Sequence, residues 1–73
     1  EEFSIENLHD LDGKSIGDTQ IRENYGLLIV GIHNNDGETT LNPGSNFRLL
    51  SGQKIIMIGT QENLNRFEVN MTK

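Results

Sequence analysis

The longest apolar stretch of the chain is at residues 25–33, YGLLIVGIH, which is rich in Ile, Val and Leu. It is too short to cross a membrane, and its length and composition are typical of a strand buried on both faces. The Asn-Asn-Asp-Gly sequence at 34–37 tolerates positive φ and predicts a hairpin into a second strand at 38–41. A further apolar run, at 54–59, is expected beside the first in the same sheet. Alternating apolar and polar residues at 3–8 predict a half-buried first strand.

A helix of about two turns is predicted to begin after Ser15. The Ser15 hydroxyl can accept a hydrogen bond from the backbone N–H of Asp18, and the Asp18 side chain can reach back to the start of the helix. Ile16 and Ile21 are its expected inward residues, and Gly26 is expected to end the segment before the central strand.

A second helix is predicted to begin after Thr60, whose hydroxyl can cap it. Its inward face has helical spacing and consists of Leu64, Phe67 and Met71. Three apolar residues before the last strand are expected to fill the edge of the core: Phe47, Leu49 and Leu50. The predicted order is β-α-β-β-β-α, which makes an α+β fold, a small two-layer sandwich.

Composition limits the size and the partners of this fold. A chain of 73 residues buries only roughly 60% of the surface that its unfolded form exposes. It has no cysteine, so neither disulfides nor thiolate metal sites can strengthen it, and self-association is the expected source of extra stability. The net charge is −5, and the six basic residues are scattered, which argues against nucleic-acid binding. We expect residues 1–73 to form one domain, cut from a longer intracellular protein.

Several short motifs occur in an order and spacing that resemble a known family. The first part is Leu11-x-Gly13-Lys14-Ser15-Ile16, followed by Ile21-Arg22-x-x-Tyr25-Gly26-x-x-Ile29-Val30-x-Ile32. The second part is Asn42-Pro43, then Leu50-x-Gly52-x-x-Ile55-x-x-Ile58-Gly59, then Leu64-x-x-Phe67. Together they resemble the C-terminal domain of regulators of potassium conductance (RCK-C or TrkA-C), over essentially the whole chain. Gln53 departs from the pattern, because the family usually has Asp there, at what we interpret as a turn.

The resemblance implies a cytoplasmic regulatory domain that forms a homodimer and is attached to an N-terminal RCK or membrane transport domain, with no membrane insertion of its own. Such domains sense a small ligand and regulate a potassium channel or potassium transport system. In some members the dimer binds cyclic di-AMP between subunits, so the implied ligand is cyclic di-AMP or another small anion. Two alternatives stay open: a purely structural dimerisation domain, and a regulatory domain of an anion or dicarboxylate transporter or of a transcription regulator.

The same resemblance suggests five ligand-binding residues: Ile16, Gln20, Arg22, Leu28 and Pro43. Arg22 would contact a phosphate, since a guanidinium fork can hold two phosphate oxygens. Its alternative role is a solvated arginine at a helix end, paired with Glu23 or with helix carbonyls, and Ile16 has the alternative of a core or dimer contact. Leu28 departs from the cyclic di-AMP binders, which carry Asn at the start of the central strand, because Leu cannot hydrogen-bond a base or a phosphate.

Motifs for catalysis and for metal binding are incomplete. Gly13-Lys14-Ser15 is similar to the end of a P-loop, but Leu8 occupies the position of the first glycine of that motif. Asp10-x-Asp12 is similar to the start of a calcium loop, but Lys14 stands where an EF-hand requires an acid or Asn, which leaves at most a weak surface cation site. With no Cys nucleophile and no serine triad, we expect neither an enzyme nor a dedicated metal site.

Overall fold

The protein contains four strands and three α-helices, in a computed structural model that describes residues 1–73. The strands are β1 (Glu2–Ser4), β2 (Leu28–His33), β3 (Thr39–Leu41) and β4 (Lys54–Ile58), and the helices are α1 (Ile16–Thr19), α2 (Ile21–Tyr25) and α3 (Gln61–Met71). The strands form one antiparallel sheet in the order β1-β4-β2-β3. The predicted α+β class, the hairpin and the pairing of the two apolar runs are therefore confirmed. No helix is both long enough and apolar enough to cross a membrane.

The hydrophobic core lies between the helices and one face of the sheet, the inner face. Ile32, Ile55 and Met57 project from β2 and β4 into this core and are fully buried. Phe67 of α3 lies among them, with its ring edge-on to those of Phe3 and Tyr25 at centroid distances of 5.1 and 5.2 Å. The other members of the core are Ile5, Leu8, Leu11, Ile21, Leu27, Leu49 and Leu64.

A β-bulge in β2 decides which of its side chains enter the core. Ile29 and Gly31 pair with consecutive residues of β4, so Val30 between them is an extra residue. In a regular strand, residues three apart point to opposite faces. The bulge removes this difference, and it places Ile32 on the same inner face as Ile29.

The central strand is shorter than predicted and is not buried on both faces. Tyr25 ends α2, and Gly26 caps this helix at φ 66°, donating its N–H to the Arg22 carbonyl at 2.9 Å. The strand begins only at Leu28, which is 54% exposed on the side of the sheet away from the core. The predicted burial on both faces is wrong, because it requires layers on both sides of the sheet. The helices of this chain pack against only one side of its sheet.

The predicted first helix is two helices, separated at Gln20. Gln20 adopts a left-handed conformation with φ 51°. The Thr19 hydroxyl stabilises this junction, because it donates to the Ile16 carbonyl at 2.6 Å and accepts from the Ile21 N–H at 3.3 Å. On one continuous helix, Ile16 and Ile21 would project about 140° apart. The break turns Ile21 fully into the core and leaves Ile16 partly buried at its edge.

The predicted helix caps are present. The Ser15 hydroxyl accepts from the Asp18 N–H at 3.3 Å, and the Thr60 hydroxyl accepts from the Asn63 N–H at 3.1 Å. The return bond from the Asp18 side chain to Ser15 is not formed. These hydroxyls satisfy backbone donors that have no partner within the first turn of a helix.

Two predictions at the edge of the core are wrong. The first strand ends at Ser4, and a 3₁₀ turn over Ile5–Asn7 follows it, because both Ile5 and Leu8 enter the core and a straight strand would point them to opposite sides. Leu50 is 48% exposed, since its neighbour Leu49 fills the core instead.

Gln53 is the one buried polar side chain of the protein. Its Oε1 accepts from the Leu50 N–H at 2.8 Å, and its Nε2 donates to Asn34 Oδ1 at 3.1 Å. The first bond closes the turn before β4, and the second ties this turn to the end of β2. Gln53 therefore acts as a turn residue, which supports our interpretation of this departure from the family pattern.

Candidate functional site

A cavity of about 250 Å³ opens where α1 and α2 meet the start of β2. Most of its wall is apolar and comes from Ile16, Ile21, Leu27, Leu28, Ile29 and Pro43. The rest of the wall comes from Gly17, Arg22, Glu23 and Ser45. These ten residues are called the pocket below.

One wall of the pocket is α2, and α3 fixes the end of this helix. Arg66 of α3 donates from Nη1 to the Asn24 carbonyl at 2.9 Å, which satisfies one of the free carbonyls at the end of α2. Its guanidinium carbon also lies 5.1 Å from the centre of the Tyr25 ring, a distance typical of a cation–π contact. Because Arg22 lies on this short helix, Arg66 indirectly fixes the position of the only cation in the pocket.

The opposite wall is held by backbone hydrogen bonds between α1 and residues 45–47. The Ile16 N–H donates to the Phe47 carbonyl and the Gly17 N–H donates to the Ser45 carbonyl, both at 2.8 Å. A Cβ at Gly17 would lie 3.3 Å from Ser45 atoms, tighter than most side-chain contacts. Glycine therefore allows the segment that carries Pro43 to approach α1.

Arg22 and Glu23 are the charged residues of the pocket, and the protein pairs neither of them. Both are exposed, and their side chains make no hydrogen bond or ion pair with another residue. The single ion pair of the structure joins His33 Nε2 and Glu2 Oε2, at 2.8 Å. The alternative in which Arg22 pairs with Glu23 is therefore not what the structure contains.

Four of the five residues suggested for ligand binding line the pocket together: Ile16, Arg22, Leu28 and Pro43. Gln20 does not line it; this exposed residue forms the junction between the two short helices. No sequence motif indicated that Gly17, Glu23 and Ser45 line the pocket. Its position directly after Arg22 is the one sequence feature that could have indicated Glu23 as a pocket residue. Ligand binding by these residues stays a prediction.

The calcium-loop motif has a structural role instead. Asp12 Oδ1 accepts from the Ser51 N–H at 3.0 Å, so this carboxylate stabilises the turn that precedes β4. No group of three His, Cys, Asp or Glu side chains is arranged to hold a metal ion.

An uncovered apolar surface lies directly beside the pocket. Leu28 and Ile58 are paired on the outer side of the sheet, and Ile56 and Leu41 reach over Gly31, within 3.3 and 3.6 Å of where a Cβ would lie. Leu28, Leu41 and Ile58 are 54%, 74% and 59% exposed. We call the surface formed by Leu28, Gly31, Leu41, Ile56 and Ile58 the outer apolar face. Leu28 belongs both to this face and to the pocket.

Comparison with known proteins identifies the family. The TrkA-C domain matches residues 1–72. This chain belongs to the TrkA-C family. Probable potassium channel protein 2 of Methanocaldococcus jannaschii is 39% identical over 71 residues, which are 97% of this chain and 20% of the relative. The chain thus spans about a fifth of the length of that relative.

Solved structures agree with this family and with the fold. The RCK C domain of the potassium transport protein KtrA, in complex with cyclic di-AMP, is 36% identical, with a TM-score of 0.82 over 94% of this chain and 78% of that one. The RCK_C domain dimer of S. agalactiae BusR, also in complex with cyclic di-AMP, is 25% identical, with a TM-score of 0.82 over 94% of this chain and 84% of that one. The resemblance to RCK-C domains is therefore confirmed, and the similar proteins include a probable potassium channel and a potassium transport protein.

Proposed function

We propose that this TrkA-C domain is a ligand-sensing and dimer-forming module on the cytoplasmic side of a potassium channel or potassium transport system. One observation carries the proposal: a pocket with an unpaired arginine opens at the edge of an uncovered apolar sheet face, and Leu28 belongs to both. A partner seated on this face would border the pocket and any ligand within it.

The ligand is a small anion with an apolar or aromatic body, and cyclic di-AMP is the first candidate, because two similar domains are solved with it. Arg22 supplies a guanidinium that is free to bind a phosphate. Ile16 and Pro43 supply apolar surface for the body of the ligand. Leu28 offers contact area but no hydrogen bond, so its contribution is packing alone.

The partner is a second copy of the chain, seated on the outer apolar face. Exposed apolar patches of this kind mark interaction surfaces in soluble domains. Covering Leu28, Leu41 and Ile58, which are each more than half exposed, adds apolar burial to a chain that is too small to bury much by itself. A similar domain, that of BusR, is solved as a dimer.

Regulation follows from the shared border of the pocket and the dimer contact. A ligand shifts a conformational equilibrium only if it binds one state better than the other. If the two copies rotate against each other, the environment of Leu28 changes, and so does the shape of the pocket that it lines. Ligand affinity then differs between the arrangements, and an attached transport domain can follow the change.

A pure assembly function is the second candidate, because the outer apolar face by itself is enough to pair two copies. In that case the pocket is only a gap beside the interface. The identity of the parent protein is also open. The sequence that precedes this domain would distinguish a channel or transporter from a DNA-binding protein such as BusR, which is solved in complex with promoter DNA.

Titration calorimetry with cyclic di-AMP tests the ligand function. We expect wild-type binding, and we expect Arg22→Ala to weaken it by about tenfold, since it removes a charge-assisted contact. Lys14→Ala is the matched control, because it removes the same charge from an exposed residue outside the pocket and should bind like wild type. A wild-type dimer that binds neither cyclic dinucleotides nor other small anions would leave assembly as the function.

A further inference from the structure

Arg22 and Glu23 carry opposite charges, both line the pocket, and they do not neutralise each other. They are consecutive residues of α2, so their side chains diverge by about 100° around the helix axis and do not face one another. Neither has an ion-pair partner elsewhere in the protein. The formal charge of the pocket is therefore zero, within a chain of net charge −5. Such a pocket has no electrostatic preference for a highly charged anion, and selection depends on where the groups of the ligand lie.

Apart from these two charged groups, the wall of the pocket has little capacity to form hydrogen bonds with a ligand. Six of the other eight residues are apolar, and the only further hydrogen-bonding side chain is the Ser45 hydroxyl. An ionised carboxylate accepts hydrogen bonds and donates none. A ligand group that meets Glu23 is favoured if it carries N–H donors, as an amino group does. It is disfavoured if it carries a carbonyl, since two acceptors then face each other.

We propose that Glu23 is a specificity-determining residue of the pocket, which selects ligands that carry an amino-substituted base together with an anionic group. The anionic group lies at Arg22, the amino group donates to the Glu23 carboxylate, and the apolar wall contacts the flat body of the base. This inference rests on the proposed function, in which the pocket binds a small ligand. It adds the second polar contact, which the resemblance did not supply.

Two cyclic dinucleotides that differ only at this contact test the inference. One is cyclic di-AMP, and the other is its analogue with unsubstituted purine bases, which shares the same phosphates and sugars and has hydrogen in place of each amino group. In titrations of the 73-residue chain, we expect wild type to bind cyclic di-AMP about tenfold more tightly than the purine analogue, as for one hydrogen bond to a charged group.

Two variants with the same change of charge separate the role of Glu23 from that of total charge. We expect Glu23→Gln to reduce the preference to less than about threefold, because a hydrogen bond to a neutral amide oxygen is weaker than one to a carboxylate. Glu38→Gln is the control, since Glu38 is exposed in the hairpin outside the pocket and its carboxylate has no partner. It should keep the full preference.

The outcomes separate this inference from the proposed function. If wild type binds both probes equally, or if Glu23→Gln keeps the wild-type preference, the role of Glu23 is overturned and the ligand site still stands. If neither probe binds the folded wild-type chain, the ligand-sensing proposal fails and this inference fails with it. A preference that disappears in Glu23→Gln and persists in Glu38→Gln supports both the ligand-sensing proposal and the role of Glu23.

Discussion

The two faces of the sheet differ sharply although the same strands build them. Met57 points inward and is fully buried, whereas the next residue, Ile58, points outward and is 59% exposed. Across the pairing, Ile29 contacts the core and its neighbour Leu28 does not. Both faces carry large aliphatic side chains. The chain therefore has more apolar sheet surface than its own helices cover, and the surplus is available to a partner.

The outer face is itself divided, which indicates where a partner fits. At the end of β2 away from the pocket, His33 Nδ1 is hydrogen-bonded to Thr39 Oγ1 at 2.8 Å, and its Nε2 pairs with Glu2. Lys54 is the cross-strand neighbour of His33 on β4. The polar side chains at this end are stable in contact with water, so no partner is needed to cover them. We therefore expect the second copy to contact the apolar end, beside the pocket.

Removing the largest buried side chain is the strongest test of the inner face. Phe67→Ala should lower the free energy of unfolding by about 3–5 kcal/mol, since it removes a fully buried ring and leaves a cavity. A domain of this size has little more stability than that, so we expect circular dichroism to detect a largely unfolded chain. Val69→Ala, on the exposed side of the same helix, should stay within about 0.5 kcal/mol of wild type. Equal effects of the two changes would contradict the assignment of the inner face.

A charge on the outer apolar face tests whether that face is a contact between copies. Ile58→Lys should raise the dimer dissociation constant by at least about tenfold, since it places a charge in an apolar contact. Analytical ultracentrifugation at micromolar concentration measures this change. Lys54→Ala, at the polar end of the same strand, should leave association unchanged. A wild-type chain that sediments as a monomer would remove the outer face from the dimer proposal.

The smallest expected effect lies at the polar end. Glu2→Gln removes the carboxylate that pairs with His33, but both side chains are nearly half exposed, and exposed pairs contribute little. The free energy of unfolding should change by less than about 0.5 kcal/mol, as measured by urea denaturation. A clearly larger loss would indicate that water is excluded from this end too, and that the contact between copies extends across the whole outer face.

Local side-chain chemistry made several parts of the fold predictable. Ser15 and Thr60 are hydroxyl residues directly before helical segments, and both cap helices as expected. The Asp36-Gly37 pair gives the hairpin, with Gly37 at φ 88° and the Asp36 carboxylate accepting from the Glu38 N–H. In each case the residue that gives the signal also makes the contact, so no knowledge of the rest of the fold is required.

The missed features depend on contacts that are distant in sequence. Gln20 carries no local signal for a left-handed conformation, and it adopts one because Ile21 must reach a core built by other segments. Val30 has nothing to mark it as a bulge inside an uninterrupted apolar run, since the bulge is defined by pairing with β4. An apolar run gives the position of a strand but not its register.

The candidate site was only partly accessible from the sequence. Arg22, Leu28 and Pro43 were suggested by resemblance, and the fold brings them to one pocket from three separate segments. Pairing with Glu23 is one form of the alternative role of Arg22, and the structure contains no such pair. Adjacent residues on a helix do not face each other, so the proximity of these two charges in the sequence is a poor guide to pairing.

The bulge at Val30 makes the pairing of β2 as important as its composition. If the strand kept Val30 and paired without the bulge, each later residue would change sides: Gly31 would face the core, Ile32 would face outward and His33 would point into the apolar interior. Deletion of Val30 would instead keep these residues on their present sides, because Ile29 and Gly31 already pair with consecutive residues of β4. Hydrophobic substitutions along the strand alter individual contacts, whereas loss of the bulge alone reassigns inside and outside for all the residues that follow.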